Sequence, residues 1–139
     1  VDLDCLVVDV EEATVAAVLR EAGYEETQRT EAFVRYAHPS AWFMAVDVMT
    51  VDRATFDKMF ALSRLCPVQS FNVRVPSLVH LVALKLHAMK NSPKRMLKDM
   101  SDIVELLRAN PGELRGSELD EVCARYGPAG IREKLEEYL

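Results

Sequence analysis

The chain has no apolar run approaching the roughly 18 residues that a membrane-crossing helix needs, so no span is expected. It is also poor in metal- and redox-active side chains, with three histidines and three cysteines, Cys5, Cys66 and Cys123. The cysteines are odd in number and scattered, and no Cys-x-x-Cys or Cys/His cluster occurs. That argues against both a disulfide framework and a zinc site, and a reducing, cytoplasmic compartment follows as the expectation. Basic residues are in deficit, 17 Lys and Arg against 22 Asp and Glu, for a formal charge of -5. A chain-wide cationic surface for nucleic acid is thereby excluded, although Arg29, Arg35, Arg64, Arg74, Lys90, Lys94 and Arg95 are numerous enough for a local patch. Glycine is scarce as well: Gly23, and four more that all lie beyond Pro111.

What is present is ordinary globular composition, 50% hydrophobic and 28% charged, in 139 residues. That length suits one domain with a real core and is short for two. The opening "VDLDCLVVDV" is acidic and lacks the charged stretch before an apolar one that marks a signal peptide. It has no initiator methionine and starts inside an expected strand, so residues upstream of Val1 are expected.

Hydropathy patterning predicts a first strand over Val1 to Val8, then an amphipathic helix in "EEATVAAVLREAG" with Gly23 as its stop. "YEETQRTEAFVRYAHP" reads as two short strands around a polar turn. "AWFMAVDVMTV" is the most strand-like stretch in the chain. A short helix in "DRATFDKMFALSRL" and a strand in "QSFNVRVP" follow. Beyond Pro76 the pattern is helical throughout, with Ser77 as the expected N-cap of the first of these helices. The expected fold class is therefore α/β (α+β): a mixed sheet with flanking helices over residues 1–76, then a helical part over 77–139 packed on it as one structural unit.

Asp2 and Asp4 sit one residue apart in a strand and so point to one face. Like charges that close repel, and a divalent cation reverses the penalty, because Mg²⁺ takes hard oxygen ligands. Asp47 is the natural third acid, isolated within "FMAVDVM", where a carboxylate must be paired or bound. If its strand lies beside the first, three carboxylates converge at one sheet edge, as a site for displacement at phosphorus requires. Asp9 and Asp52 read as solvated turn residues ending their strands.

In the helical half, Leu78, Leu81, Val82 and Met89 form an apolar stripe with Lys85 in its middle. Such a lysine either snorkels to the surface or meets an anion. His80 and His87 share the opposite face as solvated residues. The next helix buries Met96, Met100, Ile103, Val104 and Leu107, with Asp99 at the edge of that face. Asp99 is spaced to pair with Arg95, and Asp102 to pair with Lys98.

Together, "VDLDCLVV", "AVDVMTV" and "VPSLVHLVALKLHAMKNSPKRMLKDMSDIVELL" resemble the nucleotidyltransferase superfamily, and within it the bacterial AbiEii-type toxins. The most specific part runs from Pro76 to Leu107, a Leu-x-x-Leu-x-x-x-Lys helix followed by a Lys-Asp-x-x-Asp-Ile helix. The resemblance implies metal-dependent transfer of a nucleotidyl group from a nucleoside triphosphate (NTP). Asp2, Asp4 and Asp47 would hold Mg²⁺ or Mn²⁺, Lys85 would contact the triphosphate, and Lys98, in the Lys-Asp element with Asp99 and Asp102, would be a second cofactor-binding residue. Asp99 would be the activity-linked acid of the Lys-Asp element, and Asp47 would serve as general base. The implied partners are a tRNA end, a protein side chain or a small hydroxylated molecule as acceptor, and an antitoxin protein if the chain is the toxin of a toxin–antitoxin pair.

The family's first motif opens with Gly-Ser or Gly-Gly about ten residues before the Asp pair, where backbone amides cradle phosphate. No counterpart lies within the 139 residues, and it is expected upstream of Val1 if the chain is an enzyme. The competing expectation is a catalytically silent interaction module built on the same fold.

Overall fold

A computed structural model describes residues 2–31 and 33–139. The fold is α+β, with a mixed four-stranded sheet, as the patterning predicts. The chain divides into two compact units, Val1–Ala61 and Leu62–Leu139. The change of character at Pro76 falls inside the second unit rather than at its start.

The first unit carries β1 (Asp2–Val8), α1 (Glu12–Glu21), β2 (Glu25–Arg29), β3 (Val34–Ala37), β4 (Ala45–Val51) and α2 (Arg53–Ala61). Strand order is β1-β4-β3-β2, with β1 parallel to β4 and the other neighbours antiparallel. The long connection through α1 is what a parallel pairing of β1 and β4 demands. Alternation then sorts the side chains. Val34, Tyr36, Val46 and Val48 are buried with Ala16 of α1, and Cys5, Val7, Val15, Leu19 and Tyr24 pack against them. Asp2, Asp4, Arg35 and Asp47 occupy the alternate positions and therefore share the sheet's other face. β1 is an edge strand whose Asp2, Leu3 and Asp4 are exposed, so it is less buried than its apolar composition suggests. Val1, where the strand is expected to begin, lies outside the described residues.

Gly23 ends α1 as expected, at φ 87. Its amide donates to the Arg20 carbonyl and that of Tyr24 to the Leu19 carbonyl, the paired bonds of a Schellman C-cap. Asp52 is more than a turn residue. Its carboxylate accepts from the Thr55 amide and hydroxyl, both at 2.8 Å, and so caps α2.

The second unit opens with a hairpin of β5 (Arg64–Val68) and β6 (Phe71–Val75). β5 departs from the helix expected through "DRATFDKMFALSRL": "SRL" extends the helical pattern and Pro67 argues against a strand, yet pairing with β6 makes one. Helices α3 (Leu78–Asn91), α4 (Met96–Ala109), α5 (Ser117–Tyr126) and α6 (Ile131–Glu136) follow. Their core gathers Leu78, Val82, Leu86, Met89, Ile103, Leu107, Leu119 and Leu135. Ser77 holds the N-cap position of α3 with extended backbone, but its hydroxyl meets His80 Nδ1 at 3.1 Å instead of capping an amide. His80 is accordingly half-buried rather than solvated. Among the described residues, no helix is long and apolar enough to cross a membrane.

Candidate functional site

The parallel register of β1 and β4 sets Asp4 directly opposite Asp47, with Asp2 opposite Ala45. On the other side of β4, Asp47 faces Arg35 of β3, and Arg35 faces Gln28 of β2. Residues in register share a face, so Asp4, Asp47 and Arg35 form one rung across the sheet. The strand of Asp47 thus lies beside the first strand, and the three acids stand on one face of neighbouring strands.

Arg35 organises them. Its Nε donates to Asp47 Oδ1 and one terminal nitrogen to Asp47 Oδ2, both at 2.7 Å, in the planar two-point geometry that suits a carboxylate. The same terminal nitrogen also donates to Asp2 Oδ2. Phe33, two residues earlier and on the same side of β3, places its ring 5.9 Å from the guanidinium. Asp47 is 7% exposed and would be costly there without this partner. The hydrogen bonds it donates to Asp47, then the charges of Asp47 and Asp2, hold the guanidinium protonated beyond its already high ordinary pKa. Burial, and next the charge of Asp4, push the neighbouring Cys5 thiol up, so it is not an activated nucleophile.

By sequence alone Arg35 is one of several bases for a surface patch. Its signal was present, since "FVRYA" alternates and leaves a single cation on the face opposite Val34 and Tyr36. Register against Asp47 is what turns that signal into a contact. Among the described residues, no group of three or more His, Cys, Asp or Glu is drawn together as a metal cage. Asp2 and Asp47 meet one guanidinium, with Asp4 in register beside Asp47, so the set stays anionic, and its hard oxygens are the donors a Mg²⁺-sized ion takes.

The residues predicted in the helical unit form a separate network. Lys85 reaches Asp102 Oδ2 at 2.6 Å and lies 3.7 Å from Asp99 Oδ1. Arg95 pairs with Asp99 at 3.1 Å, as its spacing predicts. Asp102 therefore bonds Lys85 of α3 rather than Lys98, whose side chain is exposed. Asp99 is fully buried, deeper than the face edge expected for it. A cavity of about 310 Å³ in this unit, bounded by Arg64, Ser77, Glu113, Glu118 and Glu121, includes none of the predicted site residues.

Comparison with known proteins finds no matching protein family and no matching curated protein.

Proposed function

We propose that the carboxylate rung of the first unit is the metal-binding half of a nucleotidyltransferase site acting in the cytoplasm. A nucleotidyl group passes there from a nucleoside triphosphate to a hydroxyl acceptor, a tRNA end or a protein side chain, and the chain is a candidate toxin held by an antitoxin. One observation carries this reading: Asp4 and Asp47 stand in register on adjacent parallel strands, and Asp2 meets the same guanidinium as Asp47.

Asp2, Asp4 and Asp47 would hold Mg²⁺ or Mn²⁺, which supplies charge neutralisation at the phosphates. Asp47, buried and in register with Asp4, would serve as the base. It takes the acceptor's proton as the acceptor oxygen bonds to the α-phosphorus. The bond from that phosphorus to the bridging oxygen breaks, and pyrophosphate leaves.

Calorimetric titration with a nucleoside triphosphate and Mg²⁺ tests the reading. Saturable binding is expected, weaker by about tenfold or more in Asp47→Asn. A folded protein that carries the residues expected upstream of Val1 and still shows no saturable binding overturns it. A second reading has its own support. Arg35 already balances Asp47 and Asp2, so the rung can persist without nucleotide in a catalytically silent interaction module. Normal binding of a protein partner by folded Asp47→Asn, with no nucleotide binding by wild type, is the result that reading requires.

A further inference from the structure

We infer that Arg35 is a built-in counter-cation for the carboxylate rung, one that a divalent cation must displace and that then grips the phosphates of the nucleotide. The inference rests on the nucleotidyltransferase reading and adds a coupling to it. Both oxygens of Asp47 and one of Asp2 are engaged by a single guanidinium. A carboxylate oxygen held by this fork is closed to a metal on the same side, so guanidinium and divalent cation compete for the same atoms.

Arg35 can move without losing all its surroundings. Its side chain is 34% exposed, which gives the guanidinium an open direction, and the Phe33 ring flanks it. Once displaced, the guanidinium is a cation in search of oxygens, and its planar fork fits phosphate as well as carboxylate. Metal alone must then break the Arg35 bonds with nothing in return. Metal arriving with a polyphosphate offers Arg35 a new partner, so the two ligands bind cooperatively. The rung thereby rejects free cation and accepts cation with polyphosphate.

The test uses the full chain, with Mn²⁺ alone and Mg²⁺–tripolyphosphate as separate probes, on wild type, Arg35→Met and Arg35→Lys. Mn²⁺ is followed by electron paramagnetic resonance and tripolyphosphate by calorimetry. Arg35→Met is expected to bind Mn²⁺ about tenfold more tightly and Mg²⁺–tripolyphosphate about tenfold more weakly, since no charged hydrogen bonds need be broken for the first and none can form to the second. Arg35→Lys keeps the charge without the fork. It is expected to bind Mn²⁺ more tightly than wild type, and it carries the comparison if Arg35→Met does not fold. Equal Mn²⁺ affinity in all three proteins overturns the displacement and leaves the nucleotidyltransferase reading standing. A gain in Arg35→Met with none in Arg35→Lys overturns it too, because charge alone then accounts for the change. Failure of every protein to bind Mn²⁺ overturns the nucleotidyltransferase reading itself.

Discussion

Among the described residues two aspartates are buried, and each shows what a buried carboxylate requires. Asp99 is fully buried and lies 3.1 Å from Arg95 and 3.7 Å from Lys85. Asp102, on the same helix, keeps about a third of its side chain exposed while bonding Lys85. Removing Asp99 strips two cations of their buried partner, whereas removing Asp102 leaves Lys85 its approach to Asp99. Asp99→Ala is therefore expected to cost about 2–4 kcal/mol and Asp102→Ala under about 1 kcal/mol, read from urea denaturation midpoints. Comparable losses in the two variants would mean that burial does not set the difference. Asp47 is the sheet's version of the same problem. Arg35→Met leaves its carboxylate without the fork and is expected to cost about 1–3 kcal/mol, less than for a fully buried pair because 34% of the Arg35 side chain is exposed. Arg35→Met/Asp47→Asn should recover part of that loss, and strict additivity of the two single changes would rule out the coupling. The need for partners was legible in the sequence, since a lone acid in "FMAVDVM" demands one. Arg95 as partner of Asp99 followed from helical spacing. Arg35 did not, because strand register between residues twelve apart is not encoded in any local period.

At the scale of elements, helix ends decide more than helix faces. Gly23 sits at φ 87, and a Cβ there would approach His38 Nε2 to 2.9 Å. Gly23→Ala is expected to cost about 1–2 kcal/mol, mostly from the left-handed backbone, since the His38 ring can give way. No change in melting temperature would show that the Schellman end of α1 tolerates a side chain. The start of α3 has a different sensitivity. Burial holds His80 below the ordinary histidine pKa, with the Ser77 hydroxyl at its Nδ1. The folded state thus favours neutral His80, and the unfolded chain binds the proton first as pH falls. Stability from this group is complete above about pH 6.5 and declines below it, until the folded-state pKa is passed. The Asp52 carboxyl is held low by the Thr55 amide and then the Thr55 hydroxyl, so its contribution fades only in the acid range. Urea midpoints at pH 7.5 and 5.5 should differ less in His80→Gln than in wild type, and an unchanged difference would exonerate His80. The helices were readable because their apolar period runs over several turns. β5 was not, since Cys66, Pro67 and Val68 carry no alternation and are strand only through pairing with Val73, Asn72 and Phe71.

For the whole molecule, the informative observation is that each compact unit has a core of its own. One is built from Ala16, Val34, Tyr36, Val46 and Val48, the other from residues of α3 to α6 with Leu86 and Leu135 fully buried. Sequence character changes at Pro76, where strands give way to helices, whereas the units divide between Ala61 and Leu62. Composition marks where secondary structure changes type. It cannot mark which core a hairpin joins, because that depends on packing between residues far apart in the chain. Separate cores imply separate responses to damage. Leu86→Ala, a Leu-to-Ala change at a fully buried site, is expected to cost about 2–5 kcal/mol. Val48→Ala, also almost fully buried, is expected to cost about 1–3 kcal/mol. Native-state hydrogen exchange reads the two independently. With Leu86→Ala, amides of α3 and α4 should exchange faster while those of β3 and β4 change little, and Val48→Ala should reverse the pattern. Equal acceleration in both units from either substitution would mean that they open as a single cooperative body. In that case the sheet would owe its stability to the helical core as much as to its own, and Asp99→Ala would speed exchange in β3 and β4 as well as in α3 and α4.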